Sequence, residues 1–256
     1  TIGSVCPAIR QFGTELQKQT YLKEAAEGKL LFCIGYSEPG TGSDLASLQT
    51  RAIEEKDSYL INGQKIFTTE AHRTEYCWLL ARTDPNMAQH WGLSMFIVDM
   101  NTPGVTVRPL INILGYQSFN EVFFNDVRVS KENMVGNKNE GWLLATKALE
   151  FERAPGSRVG RLVRILEELV EYTKFTKRNG HSLNKNPVIR QKLARMATEI
   201  NICRLIGYHA VWMSANNISL TFEHSMSRVF DSELHARFAD TAMQVLGLYS
   251  QLERES

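Results

Sequence analysis

Tyr36-Ser37-Glu38-Pro39-Gly40-Thr41-Gly42-Ser43-Asp44 is the stretch on which the fold class turns. It follows the short apolar run Lys29–Tyr36 and contains two glycines around a threonine. Such a segment turns sharply and can present backbone N–H groups to a ligand. No Gly-Lys-Ser/Thr follows, so it is not a Walker-type phosphate loop. What comes next has the pattern of strands rather than of a helix, so it does not open a dinucleotide-binding βαβ unit. Taken alone, it is a turn between strands first and a ligand cradle second.

Outward from this loop the chain divides into regimes. Residues 1–28 carry Ile9, Phe12, Leu16 and Leu22 at helical spacing, with Gly28 as terminator. Strands are expected from there to about residue 136. Ser58–Thr69 holds the turn pair Asn62-Gly63; Tyr76–Ala81, Leu93–Val98, Gly104–Ile113 and Glu121–Val129 follow, separated by Pro103-Gly104 and Asn125-Asp126. This spacing suits an all-β barrel or sandwich. After Gly136 the period changes. Leu162, Ile165, Leu166, Leu169 and Val170 form one stripe; Leu193, Met196, Ile200, Gly207 and Val211 a second; Leu234, Phe238, Ala242 and Val245 a third. Polar Asn179–Asn186 connects the first two. The expected class is α+β: the tail of a helical domain (1–28), a β-barrel-like middle domain (29–137) and a helical bundle (138–256).

The 256 residues include 29 Lys+Arg and 28 Asp+Glu, a formal charge of +1, and 43% are hydrophobic. A chain of this length buries roughly 70–75% of its unfolded surface. Balanced charge argues against nucleic acid or an anionic membrane as partner. No apolar run has the length of a membrane span, and no signal peptide opens the chain. Cys6, Cys33, Cys77 and Cys203 are scattered, which argues against a disulfide scaffold or structural zinc and fits reduced thiols in the cytoplasm.

Several residues could carry chemistry. Phe67-Thr68-Thr69 sets an aromatic beside two hydroxyls at a strand end, a pattern that β-propensity and packing explain equally. Glu150, Glu152 and Arg153 close the otherwise apolar Trp142–Phe151, just before Pro155-Gly156. A carboxylate there is either a general base or part of a solvated helix end. The histidines 72, 90, 181, 209, 224 and 235 lack metal-ligand spacing; His209 falls on a helical stripe as a core residue and His224 in a loop.

In order, these pieces resemble the acyl-CoA dehydrogenase family of flavoproteins. Gly13-Thr14-Glu15…Lys18…Tyr21-Leu22…Gly28 is similar to the lead into the family's middle domain. Tyr36–Asp44 is similar to T-E-P-x-x-G-S-D, with Ser37 at the Thr position. Tyr59–Thr69 is similar to Y-x-[IL]-N-G-x-K-x-[WF]-x-[TS]. Glu121–Val129, Val135-Gly136, Gly141-Trp142 and Glu152-Arg153 complete the set. Each motif alone is modest; their joint order is specific. The resemblance covers nearly the whole chain and implies that it starts at the end of the N-terminal helical domain and stops inside the C-terminal bundle, truncated at both ends.

The resemblance implies FAD as cofactor, held by Ile34, Tyr36, Ser37, Gly42, Ser43, Phe67, Thr68 and Thr69. Phe67, in place of the commoner tryptophan, would pack on the isoalloxazine. Glu152 would be the base that takes the α-proton of an acyl-CoA while the β-hydride goes to flavin N5. The family places this carboxylate either here or in a C-terminal segment beyond the end of this chain, and in the second case Glu152 is only a helix glutamate. Arg153 and Ser43 would contact the CoA portion. Arg178, Gln244 and Gly247 stand where the family holds the adenine half, in runs that depart from its usual R-K-x-F-G and Q-x-L-G-G. Similar departures occur in a bacterial, including actinobacterial, branch built as heterotetramers. Implied partners are an electron-transfer flavoprotein and further subunits of a homo- or heterotetramer, in fatty acid or lipid degradation. Alternatives on the same fold are an acyl-CoA oxidase, a flavin monooxygenase, or a non-catalytic subunit of a heteromeric enzyme; a plain β-barrel binding module leaves the ordered motifs unexplained.

Overall fold

The computed structural model describes residues 1–153, 157–216, 218 and 220–252, without the side chains of residues 153, 157 and 158. Two compact units divide after Glu152.

The first unit opens with α1 (Val5–Phe12) and α2 (Glu15–Ala26), then β1 (Phe32–Gly35), β2 (Arg51–Glu54), β3 (Ser58–Thr69), β4 (Tyr76–Arg82), β5 (Leu93–Asp99), β6 (Val105–Leu110), β7 (Phe119–Ser130) and β8 (Met134–Val135), and ends in α3 (Gly141–Arg153). The strands form one sheet in the order β6-β7-β3-β2-β4-β5-β8, with β1 pairing in parallel to β4. β4 and β5 are buried on both faces, which explains their unbroken apolar sequence. Cys77, Leu79 and Ala81 on β4, with Phe96 and Val98 on β5, meet Tyr59, Ile61, Val122, Phe124, Val127 and Val129 of β3 and β7 in the sheet's interior. Their alternate neighbours Trp78, Leu80, Met95 and Ile97 pack against Val5, Ile9, Tyr21, Leu144 and Ala148 of the three helices. Strand alternation thus builds two cores back to back.

α2 is fixed at its start by a reciprocal capping box between Thr14 and Gln17. The buried Gln17 side chain also donates to the carbonyls of Glu132 (2.7 Å) and Met134 (3.0 Å), tying the helix to β8.

The second unit contains α4 (Ser157–Phe175), the short pair β9 (Lys177–Arg178) and β10 (His181–Ser182), α5 (Pro187–Ala215) and α6 (Glu223–Leu246). Leu162, Met196, Ile200, Cys203, Leu234 and Phe238 form one cluster, and Leu169, Leu183, Ile189, Leu193 and Val245 another. Asn186 caps α5, accepting from the amides of Val188 and Ile189, with Pro187 in the first turn.

Three expectations need correction. Asn62-Gly63 is not a turn: it lies within the continuous β3, where the pairing with β7 shifts register. Asn62 Nδ2 donates to Asp126 Oδ1 and its Oδ1 accepts from the Asp126 amide, both at 3.0 Å. Gly63 is required because a Cβ there would stand 2.7 Å from Thr50 Cα. The segment 179–186 does connect α4 to α5 and includes β10, half of a small hairpin. His209 is exposed and stacks on Trp212 (6.1 Å, 17°) instead of entering the core, and His224 belongs to the first turn of α6.

α3 lies over β5 at Gly141, where a Cβ would come within 2.7 Å of the Ser94 N, Cα and C atoms. Helix propensity alone favours alanine over glycine by up to about 1 kcal/mol. The contact with an immovable backbone reverses the sign, so Gly141→Ala is expected to destabilise the protein by about 1–3 kcal/mol, read as a lower urea midpoint with unchanged slope.

Candidate active site

Between β1 and β2 the chain makes the loop quoted at the outset, and one buried charge pair holds it. The side chains of Lys65, on β3, and Glu38 are 0% and 6% exposed. Lys65 Nζ donates to Glu38 Oε1 at 2.9 Å and to the Tyr36 carbonyl at 3.0 Å. The same carboxylate accepts the amides of Gln49 (2.7 Å) and Thr50 (2.8 Å), so it joins the loop's two ends. Glu38 and Thr41 exchange main-chain hydrogen bonds of 2.8 and 3.0 Å, closing a tight turn over Pro39-Gly40. Burial alone would raise the Glu38 pKa, but Lys65 and the hydrogen bonds from Thr50 and Gln49 outweigh it and hold the carboxyl below its usual value. Burial pushes the Lys65 ammonium down, against the pull of Glu38.

Immediately after Lys65 the β3–β7 register breaks until Thr68. Ile66, unpaired with β7 across this bulge, donates its amide to the Ser37 carbonyl at 2.9 Å. Phe67 adopts φ +56°, the left-handed region, and its ring is 63% exposed, edge-on to Phe119 with centroids 6.4 Å apart. A bulky residue in that region is strained, and bulges of this kind re-aim side chains beside functional sites. Thr68 turns inward: its hydroxyl is buried with no hydrogen-bond partner, while its carbonyl accepts from buried Asn120 at 3.1 Å. The Thr41 hydroxyl is likewise buried and unpartnered. Orphaned buried hydroxyls are uncommon and call for an explanation. Thr68, next to an aromatic held out of the core, fits a flat heteroaromatic ring with polar edges, which is what an isoalloxazine is.

The other expected residues take distinct positions. Ile34 is half-buried in β1, in register with Trp78 of β4. Tyr36 is buried, and its hydroxyl accepts from Trp78 Nε1 at 3.0 Å. Its phenol is driven to a higher pKa by burial first, with the Glu152 carboxylate adding to the rise. Glu152 itself is exposed on the last turn of α3. Gly42, Ser43 and Thr69 are exposed or nearly so, and a Cβ on Gly42 would meet nothing within 4 Å. The smallness of Gly42 therefore serves no packing among the described residues. The Arg153 side chain lies outside the described residues.

Arg178, Gln244 and Gly247 gather in the helical unit. Arg178 Nη2 donates to the carbonyls of Val245 (3.1 Å) and Leu246 (3.4 Å), capping the end of α6. Gly247, at φ +63°, leaves room for this guanidinium, since a Cβ would stand 2.7 Å from Nη2. Gln244 accepts from Lys192 and donates to Asp240 at 2.7 Å. An open pocket of about 390 Å³ adjoins Arg178, lined also by Asn179, His181, Ser182 and Lys185. Among the described residues no group of three or more His, Cys, Asp or Glu is placed to hold a metal ion.

Sequence reasoning missed Glu38, Lys65, Trp78 and Asn120 as site-building residues. The first two were visible in the quoted motifs, and an acid and a lysine inside otherwise apolar or Gly-rich strand segments were the available signal.

Lys65→Met leaves Glu38 buried without its cation, and breaking such a pair costs about 3–5 kcal/mol. The parent's Glu38 carboxyl titrates below its unfolded value, so the stability it contributes is present above the unfolded pKa and is lost as pH falls through the lowered folded one. Denaturant titrations between pH 7 and acid are expected to show a smaller acid-linked loss in Lys65→Met than in the parent.

Family models describe the same two regions: "Acyl-CoA dehydrogenase, middle domain" matches residues 33–127, and "Acyl-CoA dehydrogenase, C-terminal domain" matches residues 139–256. The chain is 35% identical over 249 residues to acyl-CoA dehydrogenase FadE29 of Mycobacterium tuberculosis, covering 97% of this chain and 64% of that protein. It superposes on a chain of the ChsE4-ChsE5 complex from Mycobacterium tuberculosis with a TM-score of 0.89 and 35% identity, covering 100% of this chain and 66% of the other. Butyryl-CoA dehydrogenase from Megasphaera elsdenii gives a TM-score of 0.89 at 31% identity, covering 98% and 67%. The chain thus spans a little under two thirds of FadE29. No helix among the described residues is long and apolar enough to cross a membrane. On these matches and on the loop, bulge and helix described above, the chain belongs to the acyl-CoA dehydrogenase family.

Proposed function

We propose that the protein of which this chain forms part is an FAD-dependent dehydrogenase that introduces an α,β double bond into an acyl-CoA thioester. The observation that carries this reading is the unpartnered, buried Thr68 hydroxyl beside the outward-turned Phe67, on the bulge that the Ile66 amide ties to the loop at Ser37. Thr68, Thr69, Ser37 and Gly42 would hold the flavin's polar edges, Phe67 its ring face, and Ile34 and Tyr36 the strand beneath. FAD, when bound, supplies the acceptor for the β-hydride. Glu152 takes the α-proton; its exposed position on a helix end lets a thioester reach it, and Arg153 and Ser43 would steady the CoA arm. Arg178, Gln244 and Gly247 would stand at the adenine half.

The electrons would pass to an electron-transfer flavoprotein, and the assembly would be a tetramer. One observation favours a heteromeric form: Arg178 spends its Nη2 on the carbonyls of Val245 and Leu246, and Gln244 donates to Asp240, so these residues have fewer groups left for the adenine half and a partner subunit would supply the rest.

Anaerobic mixing of the full-length protein, alone and with a candidate partner subunit, with acyl-CoAs should bleach the oxidised flavin band. Glu152→Gln is expected to keep its flavin and to slow the bleaching roughly 10²–10⁴-fold. A full-rate Glu152→Gln protein removes that residue from the mechanism.

A further inference from the structure

α1, α2 and the end of α3 enclose an open cleft of about 570 Å³. Its walls are apolar, formed by Ile2, Cys6, Pro7, Leu22 and Phe151. Phe151 immediately precedes Glu152, so one wall of the cleft and the proposed base sit on adjoining positions of the same helix turn. The remaining lining residues are Arg10 and Gln11, side by side on α1, and no acidic residue lines the cleft. Among the described residues no ion pair or hydrogen bond engages the exposed Arg10 guanidinium; the same holds for Arg51, Arg161, Arg190 and Arg228, and what sets Arg10 apart is its place at an apolar cleft. An apolar cleft with a single uncompensated cation is complementary to a ligand that is hydrocarbon along its length and anionic at one end.

We propose that Arg10, assisted by Gln11, receives a carboxylate borne on the acyl group, so that the preferred substrates are carboxyacyl thioesters (monothioesters of dicarboxylic acids) rather than plain alkanoyl ones. This rests on the dehydrogenase reading above and adds the substrate class. A guanidinium matches a carboxylate bidentately, and Gln11 can contribute a further N–H. The bland role for Arg10 is as a cation in the last turn of α1, favourable toward the helix dipole. That role acts on stability alone and cannot choose between substrates.

The test uses the full-length flavin-loaded protein, its Arg10→Met and Arg10→Lys variants, and matched carboxyacyl- and alkanoyl-CoA esters of equal chain length. Steady-state KM and kcat are measured for both series, and equilibrium binding of each ester by calorimetry in the Glu152→Gln background. The parent is expected to favour the carboxyacyl series. Arg10→Met should collapse that preference roughly ten- to a hundredfold, in KM and in binding rather than in kcat, while Arg10→Lys keeps most of it. A parent that prefers alkanoyl esters, or an Arg10→Met protein with the parent's preference, overturns the role of Arg10 and leaves the dehydrogenase reading standing. Flavin bleached by no ester of either series, with no ester bound, overturns both.

Discussion

The Glu38–Lys65 pair is the constraint on which the site depends. Taking two charges out of water costs several kcal/mol each, and their attraction offsets that only if geometry and hydrogen bonding are nearly complete. Here they are: the carboxylate accepts from Lys65, Gln49 and Thr50, and the ammonium also reaches the Tyr36 carbonyl. The requirement to satisfy this pair fixes where the loop leaves β1, where it rejoins β2, and where β3 must stand. Once Lys65 points inward, the chain has two residues in which to return to register with β7, and it does so by bulging at Ile66-Phe67. The strained Phe67 and the inward Thr68 are therefore downstream of one charge pair.

The sheet supplies the rigidity this arrangement needs. β4 and β5, buried on both faces, are the layer shared by the two cores, and Trp78 on that layer ties Tyr36 down through its indole N–H. A binding loop on such a layer is held by strands that are themselves immobilised from both sides, which is how precise geometry is kept on an irregular segment.

Much of the architecture was legible from the sequence because burial leaves a period. The alternation in β3 and β7, the unbroken apolar runs of β4 and β5, and the stripes of α4 to α6 carry one, although Val211, assigned to the α5 stripe, is exposed. β2 did not, because of Arg51-Ala52-Ile53-Glu54 only Ala52 is buried. Asn62-Gly63 has the composition of a hairpin turn, and only the approach of Thr50 and the pairing of Asn62 with Asp126 show why a strand needs it. The left-handed backbone of Phe67 had no local signature; it arises from a register break set by contacts 27 residues away in sequence, between Lys65 and Glu38. At the candidate site the motifs pointed to Tyr36, Ser37, Phe67 and Thr68 as ligand contacts, but not to the buried acid and base that position them. Nor did the sequence show that Arg178 also caps the end of α6 in its own chain.

The attachment of α3 sets how faithfully Glu152 can be placed. The helix is seated at Gly141 against the backbone of β5 and extends 13 residues to its far end, a length of about 20 Å. It is a lever with its pivot at Ser94 and the carboxylate near its tip. By simple geometry a tilt of about 3° at the pivot moves the tip by about 1 Å, and a misplacement of that size can cost roughly a hundredfold in rate. The interlocked partners at the pivot (the Ser94 hydroxyl receiving the Asn139 amide at 2.8 Å and lying 2.7 Å from Thr83 Oγ1) thus govern aim at a distance. A change at Thr83, Ser94 or Asn139 would therefore be felt at Glu152, the proposed base, a helix length away.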